Sequence, residues 1–256
     1  MSDFQKIRFE ASDADLAQEA LTELTSIYGQ CDAKAADVVV ALGGDGFMLQ
    51  TIHQTFDSKL PIFGMNKGTV GFLMNNYSPE DLPGRLSAAI HTDISPLRMV
   101  ATDKDGVEHS ALAINEVSLL RQSYQAARLD IHVDGHRRME GLVCDGVLVS
   151  TAAGSTAYNY SAHGPILPID AQLLALTPVS PFRPRRWRGA LLPQRVAITI
   201  DVVEATKRPV NAVADHFEVK SVHRVEVSQC KSNSARLMFD HNHSWNERIL
   251  AEQFSY

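Results

Sequence analysis

The run Asp37-Val38-Val39-Val40-Ala41-Leu42 carries no polar residue after its first position, and Gly43-Gly44-Asp45-Gly46 follows at once. An uninterrupted β-branched run suits a strand buried on both faces, as in parallel sheets covered by helices. The glycines let the backbone turn sharply and approach a ligand. The helix-like stretch Phe47 to Phe56 then offers unpaired N–H groups at its start. The same unit recurs: Leu60 to Met65 reads as a second buried strand and Asn66 to Leu73 as its loop. Upstream, Phe4 to Glu10 reads as a strand. Ser12 with Asp15 makes a capping-box-like start, Leu16, Ala20, Leu24 and Ile27 recur at helical spacing, and Gly29 stands where that helix stops. Ser78-Pro79-Glu80-Asp81 opens another helix, with a serine cap and proline at its first position. Repeated units of this kind imply an α/β layer with ligands at the carboxyl ends of the strands.

The pattern changes near Ser95-Pro96, where strands begin to follow one another with little helix between them. Asp105-Gly106 and Asp134-Gly135 are hairpin turns. Arg195 to Glu204, Val210 to Val219, His223 to Cys230 and Ala235 to Phe239 continue the β pattern, with one helix near Gly154 to Ser161. The chain thus divides into an α/β domain over 1–97 and a mainly antiparallel β domain over 98–240. A last helix, Trp245 to Phe254 within 241–256, is expected to return to the first domain. Of 256 residues, 45% are hydrophobic and 21% charged, enough to bury a sizeable core. The formal charge of −6 provides no basic field for nucleic acid, so any anion must be held by local geometry. No apolar run approaches the ~20 residues of a membrane span. The three cysteines are far apart and form no Cys-x-x-Cys, and the N-terminus lacks a secretory core. A reducing, cytoplasmic setting is expected.

Three clusters carry chemistry. Asp45 sits in a glycine loop suited to phosphate, where an acid makes sense if it binds a hydroxyl, removes a proton or holds a metal. A phosphoryl-transfer site needs such a group beside its phosphate cradle. The same tetrapeptide also reads as a tight turn with Asp45 as helix cap. In the second cluster, Cys144 to Ser161, a strand runs into a small-residue loop and a helix. Ala153, Gly154 and Ser155 leave room for a flat group. Ser155 and Thr156 offer hydroxyls to ribose or phosphate, and Tyr158 can stack on a base. A serine-capped helix with a core tyrosine is the alternative, and Asp145-Gly146 also reads as a hairpin turn. The third is Asn115-Glu116 inside an apolar strand, where Asn115 can meet an adenine edge; an edge strand with one wet face is the alternative. Phosphate charge calls for cations. Lys67 is one candidate; Arg183, Arg185, Arg186 and Arg188, interleaved with Pro184 and Trp187, are another unless that loop is merely solvated.

Taken together, Gly43-Gly44-Asp45-Gly46, Asn66-x-Gly68-x-x-Gly71-Phe72-Leu73, Asn115-Glu116, and Asp145-Gly146 leading to Gly154-Ser155-Thr156-Ala157-Tyr158-Asn159 resemble the NAD kinase family in order and spacing, over nearly the whole chain. The first motif alone is shared with phosphofructokinases and lipid kinases. The resemblance implies the two-domain NAD kinase/diacylglycerol kinase-like fold. Its first domain is Rossmann-like with a phosphofructokinase-like loop, its second is β-sandwich-like, and the site lies in the cleft between them. It implies transfer of the ATP γ-phosphate to the adenosine-ribose 2′-hydroxyl of NAD with a divalent ion, magnesium by expectation. Asp45 would accept the proton and hold the ribose hydroxyls with Gly46, on a phosphate loop formed by Gly43, Gly44, Lys67 and Gly68. Asn115, Thr156, Ala157, Tyr158 and Ser161 would line the adenosine site, with Glu116, Ala153, Asn159 and Tyr160 of the same motifs beside them. Asp145 would meet the nicotinamide-riboside end. Ser180 would reach a neighbouring subunit's ligand in a homodimer or homotetramer. Phe47, where threonine is common, and His163, where glycine is common, depart from the pattern. The competing readings are a sugar or lipid kinase sharing the glycine–aspartate loop, and a protein that senses NAD or NADP without turnover. A dehydrogenase is disfavoured, since no Gly-x-Gly-x-x-Gly follows a strand.

Overall fold

The computed structural model describes residues 4–68, 71–230 and 232–241. Along them run β1 (Ile7–Ala11), α1 (Asp15–Tyr28), β2 (Val38–Gly43), α2 (Asp45–Thr55), β3 (Ile62–Asn66), β4 (Asn75–Asn76), α3 (Leu82–Ala88) and β5 (Ile90–Ile94). Then come β6 (Leu97–Asp103), β7 (Glu108–Ala113), β8 (Glu116–Arg121), β9 (Ala127–Val133), β10 (His136–Cys144) and β11 (Gly146–Ser150). A 3-10 turn (Ala153–Thr156) leads into α4 (Tyr158–Ser161). The remaining described elements are β12 (Leu173–Val179), β13 (Ala190–Pro193), β14 (Ile198–Val202), β15 (Val210–Ala214), β16 (Phe217–Val219), β17 (Val222–Gln229) and β18 (Ala235–Phe239). They form two compact units, Met1–Ile94 with Asn233–Tyr256, and Ser95–Ser232. The helix expected over Trp245 to Phe254 lies outside the described residues.

The sheet of the first unit has the order β1-β2-β3-β18-β5, with β4 on β3. β1, β2, β3 and β18 are parallel, and β5 runs antiparallel to β18. β2 is buried along its whole length. Val38, Val40 and Leu42 pack with Phe9, Phe63 and Met65, under Ala17, Ala20 and Leu24 of α1 and Leu82 and Leu86 of α3. The apolar stripe of α1 is therefore Ala17–Ala20–Leu24, whereas Leu16 and Ile27, read from the sequence as part of it, are 58% and 55% exposed. Ser12 does not cap α1. The cap position is Ala14, without a side-chain bond, and the Ser12 carbonyl accepts from the Gln18 amide at 2.8 Å. Gly29 does end the helix, at φ 76°. α3 begins later than Ser78-Pro79 suggested. Asp81 is its cap, in the left-handed region at φ 45°, accepting from the Gly84 N–H.

The second unit is two antiparallel six-stranded sheets, ordered β10-β9-β14-β17-β6-β7 and β13-β12-β11-β8-β15-β16. Alternate residues from both sheets meet in one core, Met99, Leu129, Ile131 and Ile200 against Val117, Leu119, Val147 and Leu176. Asp105-Gly106 and Asp134-Gly135 turn hairpins as expected, the latter with φ 49° and 76°. Asp145-Gly146 does not. It carries the chain from β10 in one sheet to β11 in the other, and a Cβ on Gly146 would fall on the Leu119 carbonyl. Val210 to Val219 is not one strand but β15 and β16, parted at Asp215, which has φ 50°. Ala235 to Phe239, read as part of the β-rich domain, lies in the first unit's sheet between β3 and β5. Its buried residues, Ala235, Leu237, Met238 and Phe239, suit either sheet.

Candidate active site

In the first unit, the two glycine motifs leave adjacent parallel strands side by side. Gly43 and Asn66 are the last paired residues of β2 and β3, and the Lys67 N–H donates back to the Gly43 carbonyl at 2.8 Å. α2 starts at Asp45 rather than Phe47. Gly44 holds the cap position, so Asp45 is not the cap but the first helical residue. Its carboxylate is fixed at both oxygens: Oδ2 accepts from the Phe72 N–H at 2.7 Å and Oδ1 from the Leu73 N–H at 2.9 Å. Gly71 permits this approach, since a Cβ there would lie 3.1 Å from Asp45 Oδ1 and 2.9 Å from Met74 Cγ. At Gly44 and Gly46, which flank the acid, no described atom beyond the adjoining residues and the helix backbone lies within 4 Å of where a Cβ would stand. The acid therefore sits half-buried between two stretches of bare, accessible backbone. The Gly68 N–H donates a turn bond to Asn66 Oδ1 at 2.9 Å. The Lys67 ammonium stands 3.4 Å from the centroid of the Tyr77 ring, a cation–π contact. Burial and the neighbouring Glu23, to which the Tyr77 hydroxyl donates, push that phenol's pKa up. Phe47 leans on Gly43, where a Cβ would stand 2.9 Å from its own.

In the second unit, the Asn115-Glu116 turn is held by a residue distant in sequence. Asp215 accepts the N–H groups of Ile114 at 2.7 Å, Asn115 at 2.9 Å and Glu116 at 3.4 Å. The Asn115 carbonyl accepts from the Thr151 N–H at 3.0 Å, and Thr151 Oγ1 donates to the Ile114 carbonyl at 2.6 Å. Glu116 Oε2 is buried and has no hydrogen-bond partner among the described residues. Burial, and then the Asp215 carboxylate, raise the Glu116 pKa to about 7. Tyr158 is brought to the same place. Its phenol is pushed up by burial and by the charges of Glu116 and Asp145. Asp145 is itself paired, its Oδ1 lying 2.6 Å from Arg121 Nε. This gathers a half-buried tyrosine and a carboxyl that titrates near neutrality beside an asparagine with a fixed backbone.

Not every residue read as a ligand contact is free to be one. Asn159 is fully buried: Nδ2 donates to the Ser155 and Pro165 carbonyls and Oδ1 accepts from Thr177 Oγ1 at 2.7 Å. It ties α4 to β12 and shows no side chain to a ligand. Ser155 donates to the Ala152 carbonyl at 2.7 Å and accepts from the Leu167 N–H at 2.9 Å, so its hydroxyl too is spent inside the fold. The space at Ala153, Gly154 and Ser155 is filled by the chain itself. Ala153 is buried, and a Cβ on Gly154 would fall on the Asn115 carbonyl. Thr156, Ala157 and Tyr158 are half-buried, and Tyr160 and Ser161 exposed. Ser180 is exposed in the left-handed region at φ 47°, and His163 closes α4 at φ 61°. Asp215 and Arg121 escaped the sequence reading. The Ala-Asp-His break within the 210–219 alternation was the one available signal for the first, and nothing local marked the second.

The sequence matches the family profile described as ATP-NAD kinase N-terminal domain over residues 2–94 and that described as ATP-NAD kinase C-terminal domain over 114–238. It is 58% identical to the NAD kinase of Rhizobium meliloti (strain 1021) over 98% of both chains. It is 56% identical to that of Caulobacter vibrioides over 98% of this chain and 96% of the other. Among solved structures, yeast NADH kinase complexed with NADH aligns with a TM-score of 0.86 at 21% identity, over 99% of this chain and 89% of that one. An NAD kinase from Archaeoglobus fulgidus in complex with ATP aligns with a TM-score of 0.77 at 23% identity, over 96% and 98%.

Proposed function

The chain belongs to the NAD kinase family, and from that premise we infer which of its residues carry the reaction. The reaction moves the γ-phosphate of ATP to the 2′-hydroxyl of the adenosine ribose of NAD, giving NADP and ADP. We read the first unit as a Rossmann-like, phosphofructokinase-like layer with Asp45 as its catalytic residue. Asp45 orients the 2′-hydroxyl, with Gly46, and accepts its proton as the phosphoryl group departs. One observation carries this role: the carboxylate is fixed at both oxygens by the Phe72 and Leu73 amides, between glycines that leave the backbone bare. In a loose transition state little charge gathers early on the attacking oxygen, so a held carboxylate contributes more by orientation than by basicity. Gly43, Gly44, Gly68 and Lys67 face the phosphates.

Asn115, Thr156, Ala157, Tyr158 and Ser161 hold the adenosine, Asp145 the nicotinamide riboside, and Ser180 a neighbouring copy's ligand in a homodimer or homotetramer. Support for the first group is the common neighbourhood of Asn115, Glu116 and Tyr158. Among the described residues no cluster of three or more His, Cys, Asp or Glu side chains is set to cage a metal. A divalent ion such as magnesium, bound with the triphosphate, would neutralise phosphate charge there, and Asp45 is the carboxylate of the phosphate loop that could help to hold it. A reducing cytoplasm suits the three free thiols. The test is NADP formation from ATP, magnesium and NAD by the parent chain and by Asp45→Asn. Turnover should fall at least ~100-fold in the variant, the scale of general acid–base help, while calorimetry still shows NAD binding. Near-normal turnover would reject Asp45.

A further inference from the structure

Four arginines fall within the six positions 183–188, on a chain whose formal charge is −6. All four, Arg183, Arg185, Arg186 and Arg188, are exposed, and none makes an ion pair with a described residue. Of the eleven other described arginines, eight each have a carboxylate partner, and the remaining three, Arg98, Arg138 and Arg195, stand far apart along the chain instead of in one cluster. Without these four charges the chain would stand at −10, so the segment concentrates unpaired positive charge on an acidic protein.

The segment is also held. The Val143 carbonyl accepts the Phe182 and Arg183 N–H groups at 2.7 and 3.1 Å, and the Arg183 carbonyl accepts from Val143 at 2.9 Å. The Phe182 ring lies 4.9 Å from the Arg185 guanidinium and 5.7 Å from that of Arg183. Trp187 packs against the sandwich core, and Gly189, at φ 105°, passes where a Cβ would fall on the Leu176 carbonyl. Clamped at both ends and plugged by an indole, the arm presents planar, always-charged forks with little ordering left to lose. Guanidinium groups in that arrangement match the paired oxygens of phosphates.

We propose that Arg183–Arg188 is an anion-binding arm for a linear chain of three or more phosphates. Two sources carry that chemistry, the triphosphate of a nucleotide donor and inorganic polyphosphate. This rests on the kinase reading for the class of ligand, but the binding itself needs no turnover.

The arm carries its own reporter. In a Trp245→Phe background Trp187 is the remaining tryptophan of the chain. Its fluorescence is followed while the full-length protein, also bearing Asp45→Asn so that catalysis cannot intrude, is titrated with tripolyphosphate, ATP, AMP and inorganic phosphate. Tripolyphosphate should bind saturably, at least ~10-fold tighter than AMP or phosphate, and weaken as salt is raised. Arg185→Glu/Arg186→Glu should weaken it at least ~10-fold with the circular dichroism unchanged, and Arg185→Lys/Arg186→Lys should restore part of the loss. If ATP loses affinity in parallel, the nucleotide is the source; if only tripolyphosphate does, it is the inorganic chain. Undiminished tripolyphosphate binding in the double glutamate variant overturns the proposal. So does a change in sedimentation alone, which would mean that the arm seats another protein copy. Failure here leaves the Asp45 assignment standing, because that rests on turnover.

Discussion

Arg121 and Asp145 are joined twice: the Arg121 N–H donates to the Asp145 carbonyl at 2.9 Å, and the Arg121 Nε lies 2.6 Å from Asp145 Oδ1. The pair sits where the chain crosses between the two sheets, and its side chains are 35% and 40% exposed. An exposed pair contributes only about 0–1 kcal/mol to stability, so Arg121 acts mainly by aiming the carboxylate. Arg121→Gln should raise the KM for NAD by roughly 3–10-fold, about the net worth of one ordinary hydrogen bond. The melting temperature should move by no more than about 4 °C. Arg121→Lys should recover part of the effect. Steady-state kinetics beside thermal melts decide it; a large melting shift with an unchanged KM would make Arg121 purely structural.

Glu116 predicts a pH dependence of stability. Its pKa rises from 4.5 unfolded to about 7 folded, because burial and then Asp215 disfavour its charge. The folded state therefore holds the extra proton between those values. Its contribution is full below pH 4.5 and is lost as the pH climbs through 7. The shift corresponds to about 3 kcal/mol across that window. Denaturant titrations at pH 5.5 and pH 8 should show Glu116→Gln losing most of that difference and gaining on the parent at the higher pH. Parallel curves for the two proteins would contradict the buried, proton-bearing carboxyl.

Gly71→Ala tests how finely Asp45 is held. The added methyl would press on Asp45 Oδ1 at 3.1 Å and on Met74, driving the carboxylate off the Phe72 and Leu73 amides. Overpacking of this kind costs about 1–3 kcal/mol, and a misplaced catalytic group costs up to ~100-fold in rate. The expected outcome is a folded protein with kcat down by roughly 10–100-fold and NAD affinity little changed. Retained kcat would mean that the loop tolerates the shift and that those amides do not position the acid.

Asn159 is a fold residue in a segment read as ligand-binding. Asn159→Leu strands the Thr177 hydroxyl and the Ser155 and Pro165 carbonyls in the interior, at about 1–3 kcal/mol for each group left unpaired. Thr177→Val, which strands Asn159 Oδ1 alone, should cost about 1–3 kcal/mol. In a double-mutant cycle the two losses should fall well short of additive. Full additivity, or an NAD-affinity loss with stability intact, would return Asn159 to the binding surface.

What could be read from the sequence was what local backbone chemistry dictates. The glycines around Asp45 announce bare backbone open to a ligand, and the pair Asp134-Gly135 announces a turn because few other residues adopt its positive φ. The all-buried β2 announced itself by its unbroken β-branched run. The sequence misled where the deciding partner lies far along the chain or the local signal is degenerate. The stripe of α1 was mis-phased onto Leu16 and Ile27 because alanines, which the core takes at Ala17 and Ala20, weigh little in an apolar count. Ala235 to Phe239 is apolar apart from Arg236 and suits either unit, and its pairing with β3 and β5 assigns it. Asp215 reaches the Asn115-Glu116 turn from 100 positions away, a distance over which spacing carries no signal.

The placement of β18 between β3 and β5 sets the order in which this molecule can be built. Among the described residues β5 pairs with its sheet only through β18, and Met238 supplies a carbonyl to the buried Asn75 amide. As the nascent chain leaves the ribosome, the sandwich can finish while the sheet that was started first still has a vacant lane. That sheet closes only when the polypeptide comes back for its final strand. Translation stopped before Ala235 should therefore leave a folded β unit tethered to an unfinished partner, which limited proteolysis of stalled chains would detect.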